Sequence, residues 1–484
     1  MNKARTLALL GLLLATGCER REEGAVRVTV IGEEPAIVDP AAGPLTEPQA
    51  VLLAAAAQGL VRFDAQGNIV AGLAERWNVS DDGLSYIFRL RTGEWASGRK
   101  IRAQDVARLL RRSVAVASRN PLKDTAGAVK QIVAMTDRVL AIELAAPRPH
   151  LLQLLAQPEF ALIRGEGGTG PFQLAREDGA LLLTRELPGP EDQPAVHERV
   201  ELAAAPALAA TKRFMSGQAD LVLGGRFADL PVAHGTRLPR GSLRFDPAAG
   251  LFGLVPARGD GLAADRDVRS LLDQALDRDS LVAALRVPDL QPRASILEAG
   301  LDGGIPPAVP RWTSQPLGVR RPALLAEAPT FLPPQPEGAS SRRIIRVALP
   351  EGPGGAIVLA RLRADWGALG LDVEQAVSDR SADFRLIDWV APSVSPAWYL
   401  RSFRCDAVPI CSPEADARLE AARVTLDARE RARLFYEAER LMRDEVLFIP
   451  IAAPIRWSLV RGLPGFVENR FARHGLTDLR TRPE

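Results

Sequence analysis

The stretch IIRVALPEGPGGAIVLARLRADWGALGLDVEQA, Ile344–Ala376, decides the fold class. Ile344–Leu349 has the character of a strand, Ala356–Gly367 the apolar spacing of a helix, and Leu371–Ala376 that of a second strand. Strand, helix and strand in so short a span read as one βαβ unit. Such units build an open sheet whose carboxyl edge faces a cleft.

The same mixture continues outward. Val26–Ile31 alternates as a strand until Pro35 and Pro40 break it. Pro48–Leu60 is alanine-rich and helical in pattern. Leu60–Phe63 reads as a strand followed by the turn Asp64–Asn68. Trp77–Val79 and Ser85–Leu90 read as two strands around Ser80–Gly83. Ala103–Ala117 is an amphipathic helix, and Val139–Leu144 a strand. Phe172–Ala175 and Leu181–Arg185 are short strands, Ala207–Gly217 a helix, and Asp220–Leu223 a strand. Asp267–Leu285 and Glu414–Val446 each carry one long helical periodicity. Gly300–Gly338, rich in proline and glycine, reads as an extended surface segment. Leu447–Ile451 and Trp457–Val460 close the fold as strands. This interleaving argues an α/β chain. Its 484 residues exceed the roughly 250–300 at which a single core stops growing, so two or more lobes are expected.

The N-terminus reads as an export signal. Met1–Arg5 is basic, Leu7–Ala15 is apolar, and Thr16-Gly17-Cys18 follows. The apolar run is shorter than the ~20 residues that span a bilayer, and the arrangement is that of a secretory signal. Leu14-Ala15-Thr16-Gly17-Cys18 looks like a lipobox, with Ala15 where leucine is usual, so lipidation of Cys18 is expected and plain signal cleavage is the alternative. Glu19–Gly24 is polar and suits a tether.

Composition sets further bounds. Hydrophobic content of 47% and charge of 25% are ordinary for a globular protein, and a net charge of +2 gives no reason to expect a nucleic-acid partner. Besides Cys18, the cysteines are Cys405 and Cys411. In an oxidising compartment they can form a disulfide, worth roughly 2 kcal/mol for so small a loop; two buried free thiols are the alternative. His150, His197, His234 and His474 are scattered without metal-ligand spacing, and no metal or cofactor is expected. Gly165–Gly170 formally fits G-x-G-x-x-G, but Pro171 and a strand follow where a nucleotide site needs a helix. No G-x-S-x-G elbow or H-E-x-x-H is present.

Several stretches, in order, resemble the family 5 solute-binding proteins of ABC importers. Glu34-Pro35-Ala36-Ile37-Val38-Asp39-Pro40 is similar to that family's opening segment. Gly59–Asp64, Gly72–Trp77, Ser80–Gly83 and Phe88–Arg91 continue it, followed by Trp95–Gly98 with Ala103–Val106. Gly168-Thr169-Gly170-Pro171-Phe172, Asp267-Val268-Arg269 with Leu276-Asp277-Arg278, and Glu437–Glu439 through Ile449–Ile451 complete the set. The resemblance implies a two-lobed periplasmic-binding-protein-like fold, α/β in class, with an extra N-terminal subdomain. The implied division is a signal in 1–18, a tether in 19–25, and lobe I in 26–44, 161–249 and 455–484. The subdomain is 45–160 and lobe II 250–454. It also implies a monomer that encloses a small peptide or peptide-like solute between the lobes and delivers it to an ABC permease with its ATPase.

The chain departs from the family where the ligand would sit. Peptide-binding members carry an aspartate that pairs with the peptide amine; here Trp389-Val390-Ala391-Pro392-Ser393-Val394-Ser395-Pro396 puts Pro392 in its place. Asp388 or another acid would have to take over, or the ligand is not held by a free amine. Trp389 is the leading ligand-facing residue, since an indole offers a broad stacking surface and one donor; a core tryptophan is the alternative. Ser393, Trp398 and Tyr399 are placed on the same loop, Phe252 is expected to face the cleft from another crossing, and Thr169 and Gly170 to bring backbone close to the ligand.

Overall fold

The computed structural model describes residues 24–165, 167–177, 180–187, 195–301, 304, 306–332 and 343–481. The signal, Cys18 and most of the tether lie outside the described residues.

The opening βαβ unit forms as read. Arg343–Ala348 and Leu371–Gln375 pair in parallel, with Ile345 opposite Val373, through the helix Pro353–Ala368. The strand that continues this sheet, Phe384–Val390, is not evident in the sequence. Arg385 and Asp388 interrupt its apolar pattern, yet it pairs in parallel with Arg343–Ala348 and antiparallel with Gly250–Pro256. Ile449–Ala452 completes a five-stranded sheet. A second sheet has seven strands, in the order Leu243–Phe245, Arg456–Val460, Leu221–Arg226, Val26–Ile31, Val196–Ala205, Ala180–Leu187, Gln173–Glu177. Val196–Ala205 also escapes the sequence reading. His197, Glu198, Arg199 and Glu201 obscure its pattern, although it pairs in parallel with the whole of Val26–Ile31. A four-stranded antiparallel sheet, Ala74–Val79, Ser85–Leu90, Val139–Leu144 and Val129–Ala134, packs its own apolar core around Phe88, Leu110 and Phe160.

The chain passes between the two large sheets twice. It leaves the seven-stranded sheet after Phe245 and enters the five-stranded one at Gly250; it returns between Ala452 and Arg456. These crossings divide the molecule into two lobes. One apolar core runs across the junction, with Phe214, Phe227 and Leu230 on one side and Phe252, Ile345 and Trp366 on the other. The lobes touch backbone to backbone there. A Cβ on Gly354 would lie 2.0 Å from the Phe227 carbonyl oxygen, so the residue is held to glycine by contact across the lobes.

Two helical expectations and one extended segment are corrected. Asp267–Leu285 is two helices, Arg266–Ala275 and Arg278–Leu285. Leu276 turns out of the first to be buried, and Asp277 caps the second through the Ser280 N–H at 3.0 Å. Glu414–Val446 is likewise split into Pro413–Val424 and Ala428–Asp444, with Asp427 capping the second through Glu430 N–H at 2.7 Å. Within Gly300–Gly338 the described part is not extended. Leu317–Phe331 is a helix despite Pro322 and Pro329, because Leu324 and Ala328, four apart, form a buried stripe in the main core. Elsewhere the helix Glu47–Ala56 starts at a capping box of Thr46 and Gln49 and is shorter than Pro48–Leu60.

Candidate functional site

The ends of Gly250–Pro256 and Phe384–Val390 bring the Trp389–Ser395 segment to the junction of the lobes. Its backbone is tied to both neighbours. Ala391 N–H donates to the Ala249 carbonyl at 2.8 Å. The Gln157 side chain donates to the Pro392 carbonyl at 2.9 Å, and Gln153 Oε1 accepts from Val394 N–H at 3.0 Å. Both glutamines belong to the segment around the short helix Leu151–Leu155 of the N-terminal subdomain.

Charge reinforces this seam. Asp388 on the five-stranded sheet meets Arg456 on the seven-stranded one, with Nη1 at 2.8 and 2.9 Å from its two carboxylate oxygens. Arg456 Nη2 donates to the Asp388 carbonyl at 3.0 Å. Asp388 is therefore already engaged and does not present a free carboxylate for a solute amine. Arg473 binds Gln157 Oε1 and Glu159 Oε1, both at 3.1 Å. Burial would lower its guanidinium, but the carboxylates of Glu159 and Glu47 outweigh this and hold it above its ordinary value.

Beside the crossings lies a groove of about 570 Å³, bordered by Phe245, Asp246, Arg293, Glu298, Pro454 and Arg456. Glu298 takes Arg293 at 2.5 Å and the Tyr399 hydroxyl, which donates to it, with Arg470 3.7 Å away. Burial and the Glu298 carboxylate push the Tyr399 phenol far up, so it stays a neutral donor.

The expected site residues are not brought to one surface. Trp389 lies on a strand, not a loop; it is 40% exposed, with the Arg385 guanidinium 5.7 Å from its ring centre. Trp398 and Tyr399 belong to the short helix Pro396–Arg401, set edge to face with centroids 5.0 Å apart. Trp398 is partly buried, whereas Tyr399 and Ser393 are enclosed. Phe252 does not open onto a cleft. It is fully buried, 4.8 Å from Phe227 in the core between the lobes. Thr169 and Gly170 are set by chain packing. Gln58 and Arg91 donate to the Thr169 carbonyl, and a Cβ on Gly170 would lie 2.3 Å from the Ala55 carbonyl oxygen. The groups that do bind the seam, Gln153, Gln157, Glu298, Arg456 and Arg473, carry no local sequence signal. They are isolated polar residues, each with at least one seam partner 68 or more positions away. Cys405 and Cys411 are bonded, with Cα atoms 5.0 Å apart. No group of three or more His, Cys, Asp or Glu residues that would hold a metal occurs among the described residues.

Two α/β lobes joined by paired crossings, with a polar seam between them, define a two-lobed solute-binding protein. Residues 68–407 match the family described as bacterial extracellular solute-binding proteins, family 5. The chain belongs to that family. It is 23% identical over 458 residues to di/tripeptide-binding protein 1 of Pseudomonas aeruginosa, covering 81% of this chain and 82% of the relative. Among solved structures it is similar to Haemophilus influenzae OppA in complex with RPPGFSPFR, with a TM-score of 0.77 and 17% identity over 93% of this chain and 98% of that one. The Escherichia coli murein tripeptide-binding protein MppA gives a TM-score of 0.77 and 20% identity, over 93% and 97%.

Proposed function

We propose that the chain is an extracytoplasmic lipoprotein, tethered through Cys18, that encloses a peptide-like solute between its lobes and hands it to an ABC permease with its ATPase. The lobe boundaries are placed at the crossings, near 249–250 and 454–455, with 45–160 as the extension of lobe I and the protein acting as a monomer. The observation that carries the reading is the seam itself. The Trp389–Ser395 segment is held by side chains of the opposite body, so release of Gln153, Gln157 and Arg456 would open the lobes as rigid units. A solute that binds both faces supplies the differential affinity that favours closure. Trp389 is the contact assigned to the solute, since it alone of the tryptophan–tyrosine group is exposed at this edge; Trp398 lines the approach.

The relatives support a peptide-type solute, and the occupied Asp388 favours one that is not held by a free amine. The test is to identify, by native mass spectrometry, small molecules carried through mild purification, then to measure melting shifts with di- and tripeptides. A ligand at a hundredfold excess over its Kd should add about 2.7 kcal/mol. Trp389→Ala should weaken the response without lowering the ligand-free melting temperature. If no solute is carried and no peptide shifts the transition, the protein is instead a non-transport interaction partner that kept the fold. Radiolabelled palmitate on the wild type and its absence on Cys18→Ala test the tether.

A further inference from the structure

A second cavity lies between the N-terminal subdomain and lobe II, next to the Trp389–Ser395 segment and the helix Leu151–Leu155. Arg148 precedes the helix Leu151–Leu155. Across from it, Arg401, Arg423 and Arg431 come from Pro396–Arg401, Pro413–Val424 and Ala428–Asp444. All four arginines border one cavity, together with the hydroxyl residues Ser393 and Ser395.

Their positive charge is poorly balanced. Arg148 donates to the carbonyls of Pro147 at 2.8 Å and Arg423 at 3.4 Å, and Arg431 to those of Thr425 and Leu426, both at 3.1 Å. Arg423 donates to the Gly127 carbonyl at 3.1 Å. These are neutral acceptors. The one carboxylate bordering the cavity, Glu420, is shared by Arg404 at 2.9 Å and Arg423 at 3.3 Å. Among the described residues no carboxylate forms an ion pair with Arg148, Arg401 or Arg431. Burial, and then the guanidiniums of Arg423, Arg401 and Arg431, bring Arg148 down to about 10. Arg401 is lowered by burial first and then by Arg404 and Arg423, which together outweigh the opposing carboxylates of Asp124 and Glu420. Like charges from two bodies thus meet in a partly desolvated gap, and their repulsion opposes the contact that the glutamine bonds make.

We propose that this cleft is an oxyanion site, in which a carboxylate or phosphate group sits among Arg148, Arg401, Arg423 and Arg431 and fastens the N-terminal subdomain to lobe II. Guanidinium forks match the paired oxygens of either group, and arginine keeps its charge when buried, so the lining suits this chemistry better than a metal or an amine. The hydroxyls of Ser393 and Ser395 offer additional donors. The oxyanion comes either from an acidic solute or from free inorganic phosphate. The site does not depend on the solute being a peptide.

The experiment uses the mature chain with its disulfide intact. Melting curves and calorimetric titrations are recorded with inorganic phosphate and with succinate, against chloride at equal ionic strength. Wild type, Arg401→Gln, Arg148→Gln/Arg401→Gln and Trp389→Ala are compared. At least one oxyanion should raise the wild-type melting temperature. Arg401→Gln should weaken its binding about tenfold or more, the double variant should abolish the shift, and Trp389→Ala should retain it. Phosphate acting alone identifies a free anion; succinate acting alone identifies a carboxylate supplied by a solute. The proposal falls if neither anion acts on the wild type, or if the double variant responds as the wild type does. It also falls if Trp389→Ala loses the response while Arg401→Gln keeps it. Arg401 forms no ion pair whose loss would unfold the chain, so the single variant suffices should the double fail to fold. A peptide shift with no anion shift would overturn this site and leave solute capture standing.

Discussion

The Asp388–Arg456 pair gives a quantitative measure of how the lobes are joined. Its side chains are 11% and 12% exposed, so solvent screens them little. Unit charges 2.8 Å apart attract by about 6 kcal/mol at an effective dielectric of about 20. Desolvation cancels part of that, leaving an expected coupling of about 2–4 kcal/mol. The two single variants should differ. In Asp388→Asn the guanidinium keeps the Asp388 and Ile455 carbonyls, at 3.0 and 2.9 Å, and the cost should be about 2 kcal/mol. In Arg456→Met the carboxylate is left buried with no cation, and the cost should rise to about 3–5 kcal/mol. Urea unfolding followed by tryptophan fluorescence, on both singles and the double, yields the coupling as a difference. The interlobe reading is refuted if the single effects add within about 0.5 kcal/mol, or if Asp388→Asn costs more than Arg456→Met.

Three shorter predictions probe other joints. Gly354→Ala places a carbon 2.0 Å from the Phe227 carbonyl oxygen and 2.8 Å from Ala228 Cα; it should destabilise by about 1–3 kcal/mol, whereas Gly367→Ala on the same helix, with nothing within 4 Å, should be neutral or stabilise by up to about 1 kcal/mol. Asp220 accepts from Arg27 N–H, Nε and Nη2 at 3.0, 3.1 and 2.8 Å; burial raises its carboxyl but these bonds prevail and hold it below the usual range. A depressed carboxyl adds stability above its unfolded value that is lost as pH falls through the folded one, so the melting-temperature gap between wild type and Asp220→Asn should be full at pH 7 and close on acidification below the ordinary aspartate range. Reducing Cys405–Cys411, which spans six positions, should cost about 2 kcal/mol by chain entropy, and an unchanged urea midpoint in reductant would contradict that.

The fold was legible where the buried face of an element repeats with its own period. Val26–Ile31, Ser85–Leu90 and the βαβ unit are of this kind, because burial and backbone geometry select the same residues. Phe384–Val390 and Val196–Ala205 were not, because each carries charges that are satisfied only after distant strands assemble. Asp388 finds its partner 68 positions away, and Glu198 accepts from Asp478 N–H, 280 positions away. The helix Leu317–Phe331 was hidden for a different reason. Proline is read as a breaker from local sterics, and the buried stripe that overrides it is a tertiary effect. Of the residues singled out as ligand-facing, Trp389 is the most exposed, and it stands near the end of a strand where the sequence suggested a loop.

The placement of charge constrains the ligand more than the fold does. An amine-binding site needs a carboxylate that is buried and uncommitted, since desolvation makes such a group attract a cation strongly. At this seam the acids are committed. Asp388 faces Arg456, Glu298 faces Arg293 and Tyr399, and Asp246 lies 3.1 Å from His474 Nε2. The charge without an ion-pair partner among the described residues is of the opposite sign, on Arg148, Arg401 and Arg431, and it borders the cavity between the N-terminal subdomain and lobe II. A neutral or cationic solute would leave that repulsion in place, and closure would have to be driven against it. A solute carrying an acidic group removes it and gains charge-assisted hydrogen bonds in the same step. Where succinate and not phosphate acts at that cavity, closure and selectivity rest on one interaction, and the preferred solutes of this chain should be separated from those of amine-anchored relatives by net charge before size or side-chain shape.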